Sequence, residues 1–268
     1  MAEKRESITS VCAALCAGMG IEPPKEAAPA NEALTAYLAQ QLAGEKLDRV
    51  IMYNPDAIGE WVMEKYPDLF RSVTLCAGVF VPLETVMPSV TPVCFGSLYT
   101  GAYPEVHGIQ KYEKPVIRID SIFDALIRAG KKPAIVAYNN SSMGKIFLER
   151  KMDYFVTKGL DAANAVAREL ILRDEYDFLA IYNGNYDKYM HRCGPEGVKA
   201  LGEADANAHV FGEICETVRS RWQGHRTLVG FAMDHGCHAV PDNETKPGNH
   251  GKAIPEDLFI RHYYRVFR

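Results

Sequence analysis

Six short apolar runs punctuate this chain: RVIMY, SVTLCAGVF, PAIVAY, DYFVTKG, DFLAIYN and TLVGFAM, with helix-forming stretches between most of them. Runs that are apolar at nearly every position suit strands covered on both faces, and their alternation with helices predicts an α/β fold. The expected architecture is a largely parallel central sheet with helices on both faces. Helices are expected over 7–19 and 30–43, separated by the Pro-rich break IEPPKEAAPAN, and over 59–66. A helix is expected to open at Thr91, since Pro92 suits a first helical turn. SIFDALIRAG should end at Gly130, DAANAVARELILR should be helical, and 196–222 mostly so. The tail CHAVPDNETKPGNHGKAIPEDLF reads as a long polar loop, a kind of segment that is often functional. The 268 residues fit one domain, with 1–47 as a helical N-terminal extension packed on it.

A formal net charge of -4 argues against a nucleic-acid polymer as the main partner, though not against a small phosphate-bearing one. The seven cysteines, Cys12, Cys16, Cys76, Cys94, Cys193, Cys215 and Cys237, follow neither a zinc-knuckle nor a disulfide-framework spacing. A reducing, cytoplasmic setting is expected. The start, MAEKRESITSVCAALCAGMG, reads as an amphipathic helix rather than a signal peptide, and no run is long enough to span a bilayer, so no membrane association is expected. The oligomeric state is left open.

Ligands of open parallel sheets gather beyond the carboxyl ends of the strands. Asp56 follows RVIMY, Asp187 follows DFLAIYN, and Asp234 with His235 follows TLVGFAM. His191 lies four residues beyond Asp187 in YDKYMH, a spacing that would share one face if helical, and His250 stands in the tail. Each has a plainer reading. Asp56 could cap the next helix. Asp187 and His191 could lie in a solvated polar loop, and His250 could be an exposed loop residue. Thr91 before Pro92 is an ordinary turn or cap residue. Together, three Asp and three His at such positions suit a pair of divalent cations, and a Thr suits a nucleophile. His107, His209, His225, His238 and His262 read as structural or surface residues.

The combination resembles the alkaline phosphatase superfamily, most closely its type I phosphodiesterase and nucleotide pyrophosphatase branch, over roughly residues 48–262. Thr91 through Thr100-Gly101-Ala102-Tyr103-Pro104-Glu105-Val106-His107-Gly108 is similar to the family's nucleophile helix and its Thr-Gly-x-x-Pro-x-x-His-Gly ending. Asp187 to His191 is similar to its Asp-x-x-x-His segment, Asp234-His235-Gly236 to its Asp-His-Gly motif, and His250-Gly251 to its final His. The resemblance implies an alkaline phosphatase-like fold and two divalent metal ions. One would be held by Asp187, His191 and His250, the other by Asp56, Asp234 and His235 beside the Thr91 oxygen. Zinc is the branch's usual metal; the same donors accept manganese or iron. The implied activity is hydrolysis of a small phosphate ester, with Thr91 as nucleophile.

Three departures qualify the match. Cys94 stands where the branch is expected to have a phosphoryl-holding Asn. Pro55 and Ala57 flank Asp56 where an apolar strand residue and Gly are more usual, which makes Asn54 an alternative first ligand. The spacing between motifs leaves little room for a cap domain. Thr91, with no Arg nearby, argues against a sulfatase. A phosphodiesterase or pyrophosphatase is therefore the first reading. A phosphomonoesterase or phosphonate hydrolase is the second, for which Lys111 and Lys145 are the nearest basic candidates. A metal-binding module without catalysis is the third.

Overall fold

The computed structural model describes residues 4–268. Its main sheet has eight strands: β1 (Glu6–Ser7), β2 (Arg49–Pro55), β3 (Val79–Glu84), β4 (Pro133–Tyr138), β5 (Asp153–Thr157), β6 (Phe178–Asn183), β7 (Thr227–Phe231) and β10 (Phe259–Phe267). The short β8 (His238–Ala239) and β9 (Gly248–Asn249) form a separate ladder. The order across the sheet is β1-β3-β10-β7-β2-β6-β4-β5. Strands β7, β2, β6, β4 and β5 pair in parallel, as do β1 and β3, and β10 runs antiparallel to both its neighbours.

Both faces are covered, and the period of two along the strands shows how. Tyr53 on β2 reaches Asn207 and Asn164 of the helices Val198–Arg221 and Leu160–Arg173 on one face. Asn54 on the other face meets Tyr99 of the helix Thr91–Thr100, and Phe178 and Tyr182 of β6 contact rings of that same layer. This is the parallel α/β sheet expected from the apolar runs.

Two expectations are corrected. In SVTLCAGVF, Arg71–Cys76 is helical and only the region from Val79 is strand. The β-branched residues suggested extension, but Val73 is the one residue of that helix to be fully buried, and context overrides so weak a preference. The tail is also not one long loop. It contains β8 and β9, a short helix Pro255–Leu258, and then β10, which closes the gap between β3 and β7. The segment 4–47 supplies the edge strand β1 as well as two helices, Ser10–Met19 and Glu32–Leu42. Asn31 caps the second, its side chain accepting from Leu34 N at 2.9 Å. Among the described residues, no helix is long and apolar enough to cross a membrane.

Candidate active site

Adjacent strands β7, β2 and β6 end level with one another, Tyr53 opposite Phe231 and Pro55 opposite Asn183. Asp56 follows β2, and Asp234 and His235 follow β7. Asp187 and His191 lie not in a loop but on the helix Asn185–Cys193, one turn apart and so on one face. His250 comes in just after β9. The six residues form two triads, Asp187–His191–His250 and Asp56–Asp234–His235, and within each triad the potential ligand atoms lie within 4.8 Å of one another. The His235 and His250 rings lie tilted to one another with centroids 4.2 Å apart, so the triads adjoin.

Thr91 opens a helix in which every residue is buried. Its Oγ1 lies 3.4 Å from Asp56 Oδ2 and 3.5 Å from His235 Nε2. The helix is pinned from behind by His107, whose Nδ1 accepts from Ile109 N and whose Nε2 meets Ser97 Oγ at 3.1 Å. A Cβ on Gly96 would stand 2.8 Å from the His107 ring, so glycine is what allows that approach.

The donor set suits divalent cations on three observations. All three imidazoles direct Nδ1 at a backbone carbonyl: His191 at Gly248, His235 at Gly236 and His250 at Ser89, at 2.9, 2.9 and 3.0 Å. That fixes the proton on Nδ1 and leaves the Nε2 lone pair for the cluster, the usual preparation of a metal-binding histidine. His191 Nε2 and His250 Nε2 then stand 3.2 Å apart with no proton between them, a repulsive pair that a cation would relieve. Finally, Asp56 Oδ1, Asp187 Oδ1 and Asp234 Oδ2 are buried without a hydrogen-bond partner, each 3.2–3.4 Å from an imidazole Nε2. Such orphaned acceptors are costly unless something positive binds them.

Electrostatics carries the same message. Burial, reinforced by the charge of Asp187, raises the Asp56 carboxyl to about 7. Burial and then the charge of Asp56 push Asp234 well above the carboxylate range. Burial, aided by His250, holds His235 well below the usual imidazole value. Burial would raise Asp187 too, but the His191 and His250 imidazoles beside it draw it below its ordinary value.

Asn54 is not among these ligands. Its amide donates to Ala232 O at 2.7 Å and its Oδ1 accepts from Tyr99 at 2.5 Å, which fastens β2 to the segment leading to Asp234. Cys94 is wholly buried with Sγ 3.8 Å from Val86 O, so it offers no donor at the mouth of the site. Lys111 is exposed and pairs with Glu113, and Lys145 lies on the short helix Met143–Ile146. Lys114, which sequence reasoning passed over, feels the charge of Asp56. Burial and then Lys145 lower its pKa while Asp56 raises it, and its Nζ donates to Asn140 O at 2.7 Å. Tyr182 was also missed: its hydroxyl donates a short hydrogen bond to Asp56 Oδ2. It sits in the strand before Asp187, where an aromatic residue reads as core. Of the remaining histidines, His238 and His262 are buried, and His209 is largely exposed.

The family model of type I phosphodiesterase / nucleotide pyrophosphatase matches residues 55–115, which carry Asp56 and Thr91. Over that stretch the chain is similar to the type I phosphodiesterase / nucleotide pyrophosphatase family. Murine ectonucleotide pyrophosphatase/phosphodiesterase 5, as an inactive threonine-to-alanine variant in complex with AMP, superposes with a TM-score of 0.59 at 15% identity, over 73% of this chain and 59% of that one. Its human counterpart gives 0.54 at 14% identity, over 72% and 58%. Phosphonoacetate hydrolase from Sinorhizobium meliloti, in complex with phosphonoformate, gives 0.54 at 17%, over 70% and 56%. At these identities the likeness is one of fold, and the chain spans less than two thirds of each of these proteins' length. No curated protein sequence matches the chain.

Proposed function

We propose that this protein is a two-metal hydrolase of small phosphate esters, acting on phosphodiesters or pyrophosphates with Thr91 as nucleophile. The observation that carries the reading is the pair of adjoining Asp/His triads with orphaned carboxylate oxygens, with the Thr91 hydroxyl held against one of them. Asp187, His191 and His250 would hold one ion, and Asp56, Asp234 and His235 the other. Zinc bound by such donors supplies concentrated positive charge for the entering and leaving oxygens of an in-line displacement, chemistry that so slow a reaction demands.

The chain's own groups do the rest. Thr91 Oγ1 is aimed by the buried helix it opens, and Asp56 Oδ2 accepts its hydrogen bond, so the proton has an acceptor as the oxygen attacks. The new bond from Thr91 to phosphorus forms as the bond to the leaving oxygen breaks, giving a phosphothreonine. Water then cleaves that ester and returns the Thr91 hydroxyl. His191, His235 and His250 are oriented in advance by their carbonyl partners, so little reorganisation is needed.

One observation favours a second reading, hydrolysis of a phosphomonoester or phosphonate. Lys114 lies in electrostatic reach of Asp56, and a fixed cation there would offset the extra charge of a dianionic substrate. Comparing kcat/KM for an aryl phosphomonoester and its methyl diester separates the two. A diester preference is expected, and a monoester preference of about tenfold, ~1.4 kcal/mol of transition-state stabilisation, would move the protein to the second reading. Elemental analysis after zinc reconstitution tests the metal centre itself. Two ions per chain are expected, with His250→Ala losing mainly one and Asp234→Ala the other; at most one ion in the wild type would contradict the assignment.

A further inference from the structure

We infer that Tyr182 is a positioning residue for this site, holding the Asp56 carboxylate so that one oxygen serves Thr91 and the other is left for an ion. The inference rests on the reading of Asp56 as a metal ligand. Asp56 is buried, and its two oxygens are used differently. Oδ2 accepts from the Tyr182 hydroxyl and from Thr91 Oγ1, the latter at 3.4 Å. Oδ1 has no hydrogen-bond partner and points at His235 Nε2, 3.4 Å away. A free carboxylate rotates about its last bond and exchanges its oxygens. With the Tyr182 hydrogen bond in place, that exchange would break a charge-assisted bond in a buried setting.

Tyr182 is itself built to stay put. It is buried on β6, stacks on Tyr138 with centroids 5.5 Å apart, and meets Phe95 edge-on at 5.6 Å. Phe95 belongs to the helix that Thr91 opens, so one aromatic ring touches the nucleophile's helix and the carboxylate together. A Cβ on Gly184 would come within 2.7 Å of the Tyr182 hydroxyl, so the turn after β6 leaves that oxygen its room.

Tyr182→Phe removes the hydroxyl and keeps the ring. Zinc affinity is measured by competition with a chromogenic chelator in a His191→Ala background, where only the Asp56 triad is intact. The dissociation constant is expected to rise about tenfold. In otherwise wild-type protein at saturating zinc, kcat on an aryl diester is expected to fall about tenfold with KM within about twofold, the mark of lost alignment rather than lost substrate contact. Tyr53→Phe is the packing control. It deletes another buried phenol hydroxyl, 2.8 Å from Asn207 on the opposite face of the sheet, and should leave both readouts unchanged. Unchanged zinc affinity and kcat in Tyr182→Phe would overturn the inference. So would a variant that merely loses apo-protein stability well beyond Tyr53→Phe without a change in zinc affinity, or that fails to fold where Tyr53→Phe folds. If the wild-type protein binds no zinc, the reading of the site fails first, and this inference with it.

Discussion

Ala57 has a left-handed backbone, φ 64°, immediately after Asp56, and its N–H donates to Asp234 Oδ1 at 3.2 Å. That conformation costs an L-residue roughly 1–2 kcal/mol, which explains why glycine is the more usual residue there. Ala57→Gly relieves the strain but loses a buried methyl, about 0.8 kcal/mol, and loosens the unfolded chain by about 0.7 kcal/mol. The terms nearly cancel, so urea denaturation should show a change within about 0.5 kcal/mol; a loss above about 1.5 kcal/mol would mean the backbone is not strained. His262 gives a pH-dependent counterpart. It is buried, its Nε2–H donates to Met233 O at 2.6 Å, its Nδ1 accepts from Tyr264, and burial lowers its pKa to about 4. The unfolded chain, at the ordinary value of 6.5, takes up the proton first as the pH falls. Stability from the neutral ring is therefore present above about pH 6.5 and is lost progressively down to about pH 4, some ~2 kcal/mol of it between pH 7 and 5. His262→Gln should flatten that part of the curve in metal-free protein. An equal pH slope in both proteins would show that His262 is not the group responsible.

At the scale of elements, the site depends on two segments being clasped together. His238 Nδ1 and Asp257 Oδ1 lie 2.7 Å apart and buried, Asp257 Oδ2 accepts from Lys252 N, and Gly236 N donates to Asp257 O. Asp257 thus joins the Asp234-His235-Gly236 turn, through its main-chain carbonyl, to His238 and the loop that delivers His250, through its carboxylate. Asp257→Ala should cost about 3 kcal/mol, as breaking a buried pair does, and should lower zinc content mainly at the His250 triad. Full zinc occupancy in a destabilised variant would limit Asp257 to a stabilising role. This clasp was invisible in the sequence, because His238 and Asp257 lie far apart in a polar stretch that resembles a loop. The candidate positions Asp56, Asp187, Asp234 and His235 were legible for the opposite reason: each comes soon after an apolar strand, and chemistry in this fold gathers at those ends. Strand β10 was missed because His262 interrupts its apolar face. Ile260, Tyr264 and Val266 alternate inward as a strand should, but a buried histidine satisfied by Met233 and Tyr264 is recognisable only once the partners are known. Tyr182 was hidden differently, since a tyrosine in a buried strand carries no sign of which carboxylate its hydroxyl will meet.

Across the whole molecule, the arrangement is a buried parallel sheet whose three central strand ends collect acidic charge, with a separate buried helix aiming Thr91 at it. Uncompensated, that much carboxylate is unfavourable, as the raised pKa values of Asp56 and Asp234 show. On the proposed reading, bound cations would be part of the fold as well as the chemistry, and zinc should raise the unfolding temperature in a concentration-dependent way. No such shift up to zinc concentrations that saturate comparable sites would contradict that coupling. Thr91 plays the complementary part: it lies beside the Asp56 triad, which keeps its three candidate ligands without it. The most direct test is therefore the rate of aryl phosphodiester hydrolysis by Thr91→Ala at measured, full zinc occupancy. The account predicts a folded protein that keeps its zinc and loses at least about a hundredfold in kcat, with Thr91→Ser recovering part of the rate. Near wild-type turnover in zinc-loaded Thr91→Ala would contradict it, and would make water the direct nucleophile.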